Sequence, residues 1–241
     1  MMRYDVFVSA KLNISRNKAC ELIENKQILL NGEFKKTSFK ITSLNPLEDE
    51  SLKLTLLEEL FVSRAAFKLK HFLQEHTFAI KDKICLDIGS STGGFVQILH
   101  QNNAKHITAL DVGSNQLHKS LRNLENIQIC ENTDLREFKS EILYDVITCD
   151  VSFISLTHLI FYIDKLAKDL IILLFKPQFE VGKNAKRDKN GVVKDAKAIK
   201  TAKESFEKAC ANLGWILQVN QESHLKGKEG NVEFFYAYRK N

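Results

Sequence analysis

Two patterns of apolar residues divide the chain. From residue 63 onward, short apolar runs at 84–88, 107–112, 127–130, 145–150 and 170–175 alternate with stretches of helical spacing. Runs this short, rich in Ile, Leu and Val and separated by helices, mark parallel strands buried on both faces. Ser63 precedes a helix whose apolar stripe is Ala65, Ala66, Leu69, Phe72 and Leu73, the spacing of one helix face. The stretches 215–219 and 233–238 predict a terminal strand pair. Together these elements predict a doubly wound α/β domain that holds its ligands at the carboxyl ends of the strands.

Ahead of residue 60 the pattern is different. Ser15 is placed to cap a helix that carries Ala19, Leu22 and Ile23 on one face. Residues 27–33 read as a strand entering an Asn31-Gly32 turn, a dipeptide that tolerates positive φ at both central positions. The stretch 43–59, with Asn45-Pro46 and the acidic Glu48-Asp49-Glu50, contains the expected domain boundary. The reading is a small α+β module over residues 1–59 and the α/β domain over 60–241.

Composition narrows the class of function. No run among the 241 residues reaches the roughly eighteen apolar residues of a membrane helix. No apolar segment follows Met1-Met2-Arg3-Tyr4-Asp5, so no secretory signal is expected. The five cysteines, Cys20, Cys85, Cys130, Cys149 and Cys210, form no C-x-x-C pair. Their odd number and wide spacing argue against a disulfide framework and a zinc site, and favour a reducing cytoplasm. The net charge of +5 is modest, but residues 1–40 carry eight Lys/Arg against four Asp/Glu, and a second basic cluster runs from Lys183 to Lys203. Two basic patches point to a polyanionic partner.

The most informative stretch is Asp87-Ile-Gly-Ser-Ser-Thr-Gly-Gly-Phe95, where a strand ends in an acid and a glycine-rich turn opens a helix. Its G-x-x-x-G-G order departs from the dinucleotide fingerprint, and no Gly-Lys-Ser/Thr follows, which weakens a P-loop reading. Asp111 closes the next strand and is placed to accept the hydroxyls of an adenosine ribose. Asp134 follows the third strand, within reach of an adenine amino group or serving only as a loop cap. Asp150 and Lys176 stand directly after two further apolar runs. A lysine there is costly unless it is paired or functional.

Five segments together resemble the TlyA family: residues 63–69 (Ser-Arg-Ala-Ala-Phe-Lys-Leu), the turn at 87–95, Asp150-Val-Ser-Phe-Ile-Ser155, Lys176-Pro-Gln-Phe-Glu180 and Gly230-Asn-Val-Glu233. That family comprises bacterial rRNA cytidine 2′-O-methyltransferases, some labelled haemolysins, related to the FtsJ-type ribose methyltransferases. The resemblance spans nearly the whole chain. It implies a Rossmann-like class I methyltransferase domain preceded by an S4 RNA-binding domain, with S-adenosylmethionine as cofactor and no metal. Asp87, Gly89, Ser91, Gly93, Gly94, Phe95, Asp111 and Asp134 would hold the cofactor. The family's catalytic set falls on Lys68, Asp150, Lys176 and Glu233, with Lys176 the candidate general base. The implied partner is ribosomal RNA or a ribosomal subunit, and the compact chain favours 23S rRNA of the large subunit. RNA contacts are expected from Arg3, Arg16 and Lys18 in the S4-like segment, and from Lys183 and Arg187 in the second basic cluster. Lys26 stands where the S4 module usually has glycine, so a locally altered turn is expected there.

The chemistry suits that set. A ribose hydroxyl is a weak acid, and attack on a sulfonium methyl gains from a base and an aligned nucleophile. A cationic Lys68 nearby favours a neutral Lys176, whereas Asp150 and Glu233 favour its ammonium form, and sequence does not rank the two. Two other classes compete. A noncatalytic rRNA-binding or assembly factor could retain the fold, but all four candidate residues are present. A membrane-active haemolysin would need a spanning segment or a strong basic amphipathic helix, and neither is evident.

Overall fold

The computed structural model describes residues 1–57 and 60–240. It divides into two compact units, Met1–Leu60 and Phe61–Asn241.

The first unit runs β1 (Met2–Arg3), α1 (Tyr4–Lys11), α2 (Arg16–Glu24), β2 (Ile28–Leu30), β3 (Lys40–Ile41) and β4 (Leu54–Leu56). Tyr4, Phe7 and Val8 of α1 pack with Ala19, Leu22 and Ile23 of α2 and with Ile28, Leu30 and Ile41. Ser15 caps α2 by accepting the Lys18 amide at 3.2 Å. Asn31 and Gly32 both take positive φ, and Leu30 and Glu33 bridge across that turn. The stretch 43–59 is not loop alone, because β4 lies within it and pairs antiparallel with β2.

The turn at Lys26 is not altered as expected. Lys26 adopts φ +54°, its amide donates to Ile23 O, and the Gln27 amide donates to Leu22 O at 2.8 Å. That pair of bonds is the helix-ending motif in which glycine usually occupies the left-handed position. The lysine takes the glycine conformation and the turn is preserved.

The second unit begins with α3 (Arg64–Glu75), followed by β5 (Ile84–Ile88), α4 (Gly94–Gln101), β6 (His106–Leu110), α5 (Lys119–Arg122), β7 (Ile127–Cys130) and β8 (Tyr144–Cys149). Then come α6 (Ile160–Leu166), β9 (Ala167–Phe175), α7 (Pro177–Glu180), α8 (Ala196–Asn212), β10 (Trp215–Glu222) and β11 (Phe234–Lys240). The sheet order is β10-β11-β9-β8-β5-β6-β7. The strands β7, β6, β5, β8 and β9 pair parallel, while β11 pairs antiparallel with both β9 and β10. The strand order reverses between β5 and β8, and such a switch point opens a crevice at the carboxyl ends of the strands.

Alternation along each strand fills two cores. Cys85, Val146, Leu170, Ile172, Leu174, Phe235 and Ala237 belong to one. Leu86, Ile147, Ile171, Leu173, Phe175, Tyr236 and Tyr238 belong to the other. Residues 170–175 are therefore apolar at every position because both faces of β9 are covered. Two elements are shorter or longer than their apolar runs. The run at 107–112 ends as strand at Leu110, and Val112 is exposed. The run at 215–219 extends to Glu222 as an edge strand with one covered end, where polar residues are tolerated. Ser63 precedes α3 but makes no side-chain cap.

Candidate active site

The glycine-rich turn joins β5 to α4. Gly93 has φ +91° and opens α4, a conformation costly for any residue with a Cβ. At Gly94 a Cβ would sit 2.8 Å from the backbone nitrogen of Ala66 and against Ser63 Oγ. The missing side chain thus lets the start of α4 press on the start of α3, the helix that carries Lys68. Phe95 is buried and stacks near Phe235 in the core, with ring centroids 6.1 Å apart.

Beside the turn lies a cavity of about 480 Å³, lined by Gly89, Ser91, Asp111, Val112, Asp134 and Leu135 on one side and by residues 150–154 on the other. Asp111 is fixed by two amides, its Oδ2 accepting from Ser91 at 2.8 Å and its Oδ1 from Gly113 at 2.7 Å. One lone pair on each oxygen is left for further donors. Asp134 accepts the Arg136 amide at 2.8 Å and pairs with its guanidinium at 2.6 Å, which holds its carboxyl below the usual range. It is therefore a loop cap that also faces the cavity. Asp87 is buried and accepts a 2.6 Å hydrogen bond from Thr148. Burial pushes its carboxyl well above the usual range, and the nearby carboxylates of Asp150 and Asp111 push the same way. A bound cation would relieve that cost.

These residues fit S-adenosylmethionine. Its ammonium and sulfonium charges match the carboxylates of Asp87 and Asp150, and its adenosine matches an apolar cavity with Asp111 at the rim.

A second, larger cleft of about 790 Å³ shares Gly89, Ser91, Asp150, Ser152 and Phe153 with the first and is lined also by Lys68, Lys176, Gln178 and Glu233. The four charged residues named from sequence line it together, but as two separate pairs. Lys176 Nζ lies 2.6 Å from Asp150 Oδ1 and donates to Ser152 Oγ at 2.9 Å. Lys68 Nζ donates to Glu233 Oε2 at 2.5 Å, across 165 residues of sequence. Each lysine therefore has its own carboxylate. Lys68, Lys176 and Glu233 are buried, and buried charges persist only when paired in this way.

Other residues of the site had no chemical signal in the sequence. Gln178 Nε2 reaches the second oxygen of Glu233 at 3.4 Å. A Cβ at Gly227 would lie 2.6 Å from that same oxygen, so glycine is what lets the loop approach Glu233. Glu180 accepts from Ser155 Oγ at 2.5 Å and from the Leu156 amide at 2.8 Å. One motif thus clamps the loop that carries the other. Within that loop Phe153 is 91 % exposed with φ +67°, and its ring centroid is 5.2 Å from that of Phe179. A bulky residue held in the left-handed region stores strain of roughly 1–3 kcal/mol, and here it turns an aromatic ring out at the mouth of the cleft.

The basic residues fall into three settings. Arg3 and Arg16 both pair with the buried Asp5, at 3.0 and 2.9 Å, and their own side chains remain 48 and 55 % exposed. Lys18 pairs with Glu21 on the same helix. Arg187 donates to the carbonyls of Gln178 and Gly182, both at 3.1 Å, and lines the cleft, whereas Lys183 is exposed on the surface.

The sequence model of the FtsJ-like methyltransferases matches residues 61–240. Across the full length of both proteins the chain is 64% identical to the 23S rRNA (cytidine-2′-O)-methyltransferase TlyA of Campylobacter jejuni. It is 35% identical to the 16S/23S rRNA (cytidine-2′-O)-methyltransferase TlyA of Mycobacterium tuberculosis, over 93% of this chain and 84% of that protein. A solved structure described as a hemolysin of Streptococcus thermophilus matches at TM-score 0.72 and 31% identity, over 100% of this chain and 88% of that one. With the glycine turn, the paired lysines and the sheet order all in place, the chain belongs to the TlyA family of FtsJ-like methyltransferases.

Proposed function

We propose that the chain methylates the ribose 2′-hydroxyl of a cytidine in 23S rRNA of the large ribosomal subunit, using S-adenosylmethionine. The observation that carries this reading is the pair of a buried Lys176 with the half-buried Asp150, whose carboxylate lines both cavities. S-adenosylmethionine supplies an electrophilic methyl group when bound. Asp111 would accept from its ribose, and Asp87 would offer a buried anion to its ammonium. On the substrate side, Lys176 Nζ, once it has given up one proton to solvent and is a free amine, takes the proton of the attacking hydroxyl. Asp150 and Ser152 fix that nitrogen in place, so the hydroxyl meets it at one orientation. Lys68 and Glu233 line the same cleft and neutralise each other while buried.

A ribose inside a folded rRNA reaches such a cleft when its nucleotide is turned out of the stack. The outward ring of Phe153 offers a face for the base. The first unit acts as an S4-like RNA-binding module. Asp5 anchors Arg3 and Arg16 so that their free N–H groups point at phosphates, with Lys18, Lys183 and Arg187 adding positive charge. The place of action is the cytoplasm, where ribosomal subunits reside. Among the described residues no helix is long and apolar enough to cross a membrane.

The test is transfer of labelled methyl from S-adenosylmethionine to separated large and small subunits that lack the modification, with wild type and Lys176→Ala in parallel. Label should enter large-subunit RNA alone, and Lys176→Ala should lose roughly 10²–10⁴ in rate while still binding the cofactor. Cofactor binding without transfer to either subunit would favour the noncatalytic assembly factor.

A further inference from the structure

The loop between β6 and α5 is gripped by a carboxylate that takes no part in the chemistry. Glu131 directly follows β7, and its side chain is 11 % exposed. Its Oε2 accepts the Asn115 amide at 2.6 Å, and its Oε1 accepts the amides of Gln116 and Leu117, both at 2.9 Å. Successive N–H groups turned to one side form an anion-binding hollow, and Asn115 takes the left-handed conformation, φ +52°, within it. Arg122 completes the grip. Its Nη2 donates to Glu131 Oε1 at 2.5 Å, and its Nε donates to the Leu117 carbonyl at 2.8 Å. These donors, the Leu117 amide above all, hold the Glu131 carboxyl below the usual range.

Val112, Gly113 and Gln116 of this loop line the cavity of about 480 Å³, and Glu131 does not. What Glu131 fixes is passed on at two places. Gly113 donates to Asp111 Oδ1 at 2.7 Å, so the course of the loop sets the tilt of the carboxylate at the rim. Leu117 is buried, and a Cβ on Gly93 would come within 2.7 Å of its side chain. Beside it the His118 amide donates to the Thr92 carbonyl at 3.2 Å. The loop therefore braces the glycine-rich turn. Two backbone segments that face the cavity are set against each other by one anion outside it. Without that anion three amides lose their acceptor and Arg122 loses its counter-charge. Water can satisfy those donors, but it does not hold the loop to a single course.

We infer that Glu131 is a positioning residue for the cofactor, holding the 112–118 loop, and through Leu117 the glycine-rich turn, in the course that S-adenosylmethionine binds. It acts through Asp111 and Gly93 and touches neither cofactor nor RNA. The inference rests on the cofactor occupying the cavity at Asp111. A loop that keeps the binding course for only about a tenth of the time weakens affinity about tenfold. Once the cofactor is bound the loop is in place, and turnover proceeds at its normal rate.

The experiment measures affinity for S-adenosylhomocysteine by calorimetry in the full chain, for wild type, Glu131→Ala, Glu131→Gln and Asp111→Ala. Methyl transfer to large subunits gives kcat and the KM for S-adenosylmethionine, and hydrogen exchange follows amides 115–117 without cofactor. Glu131→Ala should weaken binding about tenfold or more and raise that KM to match, with kcat at saturating cofactor within about twofold of wild type. Exchange at 115–117 should quicken. Glu131→Gln keeps one oxygen for the Gln116 and Leu117 amides but turns an NH2 toward Asn115, so its affinity should fall between wild type and Glu131→Ala. Unchanged affinity in Glu131→Ala overturns the inference, and so does a lowered kcat at unchanged KM, which would make the residue a support of the fold alone. Should Glu131→Ala not fold, Glu131→Gln decides: a loss of about threefold supports the inference, and no loss overturns it. Asp111→Ala that binds like wild type fails the placement of the cofactor, and this inference with it. Weakened binding in Asp111→Ala beside unchanged binding in Glu131→Ala fails this inference alone.

Discussion

The Lys68–Glu233 pair invites a double-mutant cycle that separates its structural from its chemical role. Both side chains are buried and their charged atoms are 2.5 Å apart. Replacing either partner by methionine strands the other as an uncompensated buried charge, at a cost of about 3–5 kcal/mol. For a unit the size of Phe61–Asn241, roughly 2–4 °C accompanies each kcal/mol. Each single variant should therefore melt roughly 6–20 °C lower. The double variant Lys68→Met/Glu233→Met removes both charges and restores an apolar wall. It should recover most of the loss, leaving about 1 kcal/mol for the acceptor that Gln178 no longer has. Trp215 is the chain's single tryptophan, buried with its Nε1 donating to Asp164 at 2.8 Å. Its fluorescence in urea follows this unit directly. Two single losses of that size and a double loss of about 1 kcal/mol set the expected coupling energy at about 5–9 kcal/mol. Losses that simply add, to within about 0.5 kcal/mol, would refute the claim that the two charges hold one another. Methyl transfer should stay lost in the double variant even as stability returns. A double variant that is stable and active would make the pair structural alone.

Two further outcomes concern the first unit. Lys26→Gly should relieve the left-handed backbone at φ +54°, less a small loss from the contact of its ammonium with the Phe34 ring at 5.9 Å. The net gain of about 0.5–1 kcal/mol should slow hydrogen exchange of the α2 amides in the full chain about two- to fivefold, and faster exchange would contradict the strain. Asp5 is held down to about 2 by the guanidinium of Arg3 and then that of Arg16, against the upward push of burial. A carboxyl lowered on folding contributes stability that is full above its unfolded value near 4 and is lost as pH falls through about 2. A carbon-detected titration of Asp5 in the full chain should show a midpoint near 2, rising in Arg16→Ala, and a midpoint near 4 would remove the clamp.

Strands were easiest to read where burial is complete. Residues 170–175 are apolar throughout because both faces of β9 are covered, and the charges just past buried runs, Asp150 and Lys176, stand out for the same reason. The strand ends were less legible. Val112 is apolar yet exposed at the rim of a cavity, and a hydrophobic pattern cannot tell a rim from a core. Pairing was not legible at all. Nothing in the order of residues says that Lys68 takes Glu233 and Lys176 takes Asp150, because that choice depends on which elements the sheet brings side by side. Gln178 and Ser152 stood inside the family motifs with no role assigned, and Gly227 stood outside them, for a related reason. Their importance lies in an oriented amide, a hydroxyl and a missing Cβ, and each has meaning only beside a partner distant in sequence. At Lys26 the expectation of an altered turn failed because the hydrogen bonds closing α2 outweigh the modest cost of a left-handed lysine.

The position of β11 has a consequence for folding. This strand lies inside the sheet, between β9 and β10, although it comes after both in sequence. It supplies Phe235 and Ala237 to one core and Tyr236 and Tyr238 to the other, and it directly follows Glu233. The parallel strands can assemble first, with Lys68, Asp150 and Lys176 already near their places, yet Lys68 has no counter-charge until β11 slides into its slot. Contacts spanning so much sequence form late, after the entropy of closing the chain has been met. Until that strand seats, Lys68 lacks the Glu233 carboxylate, so under the proposed function a half-folded molecule that has captured cofactor would hold a mismatched site instead of a working one.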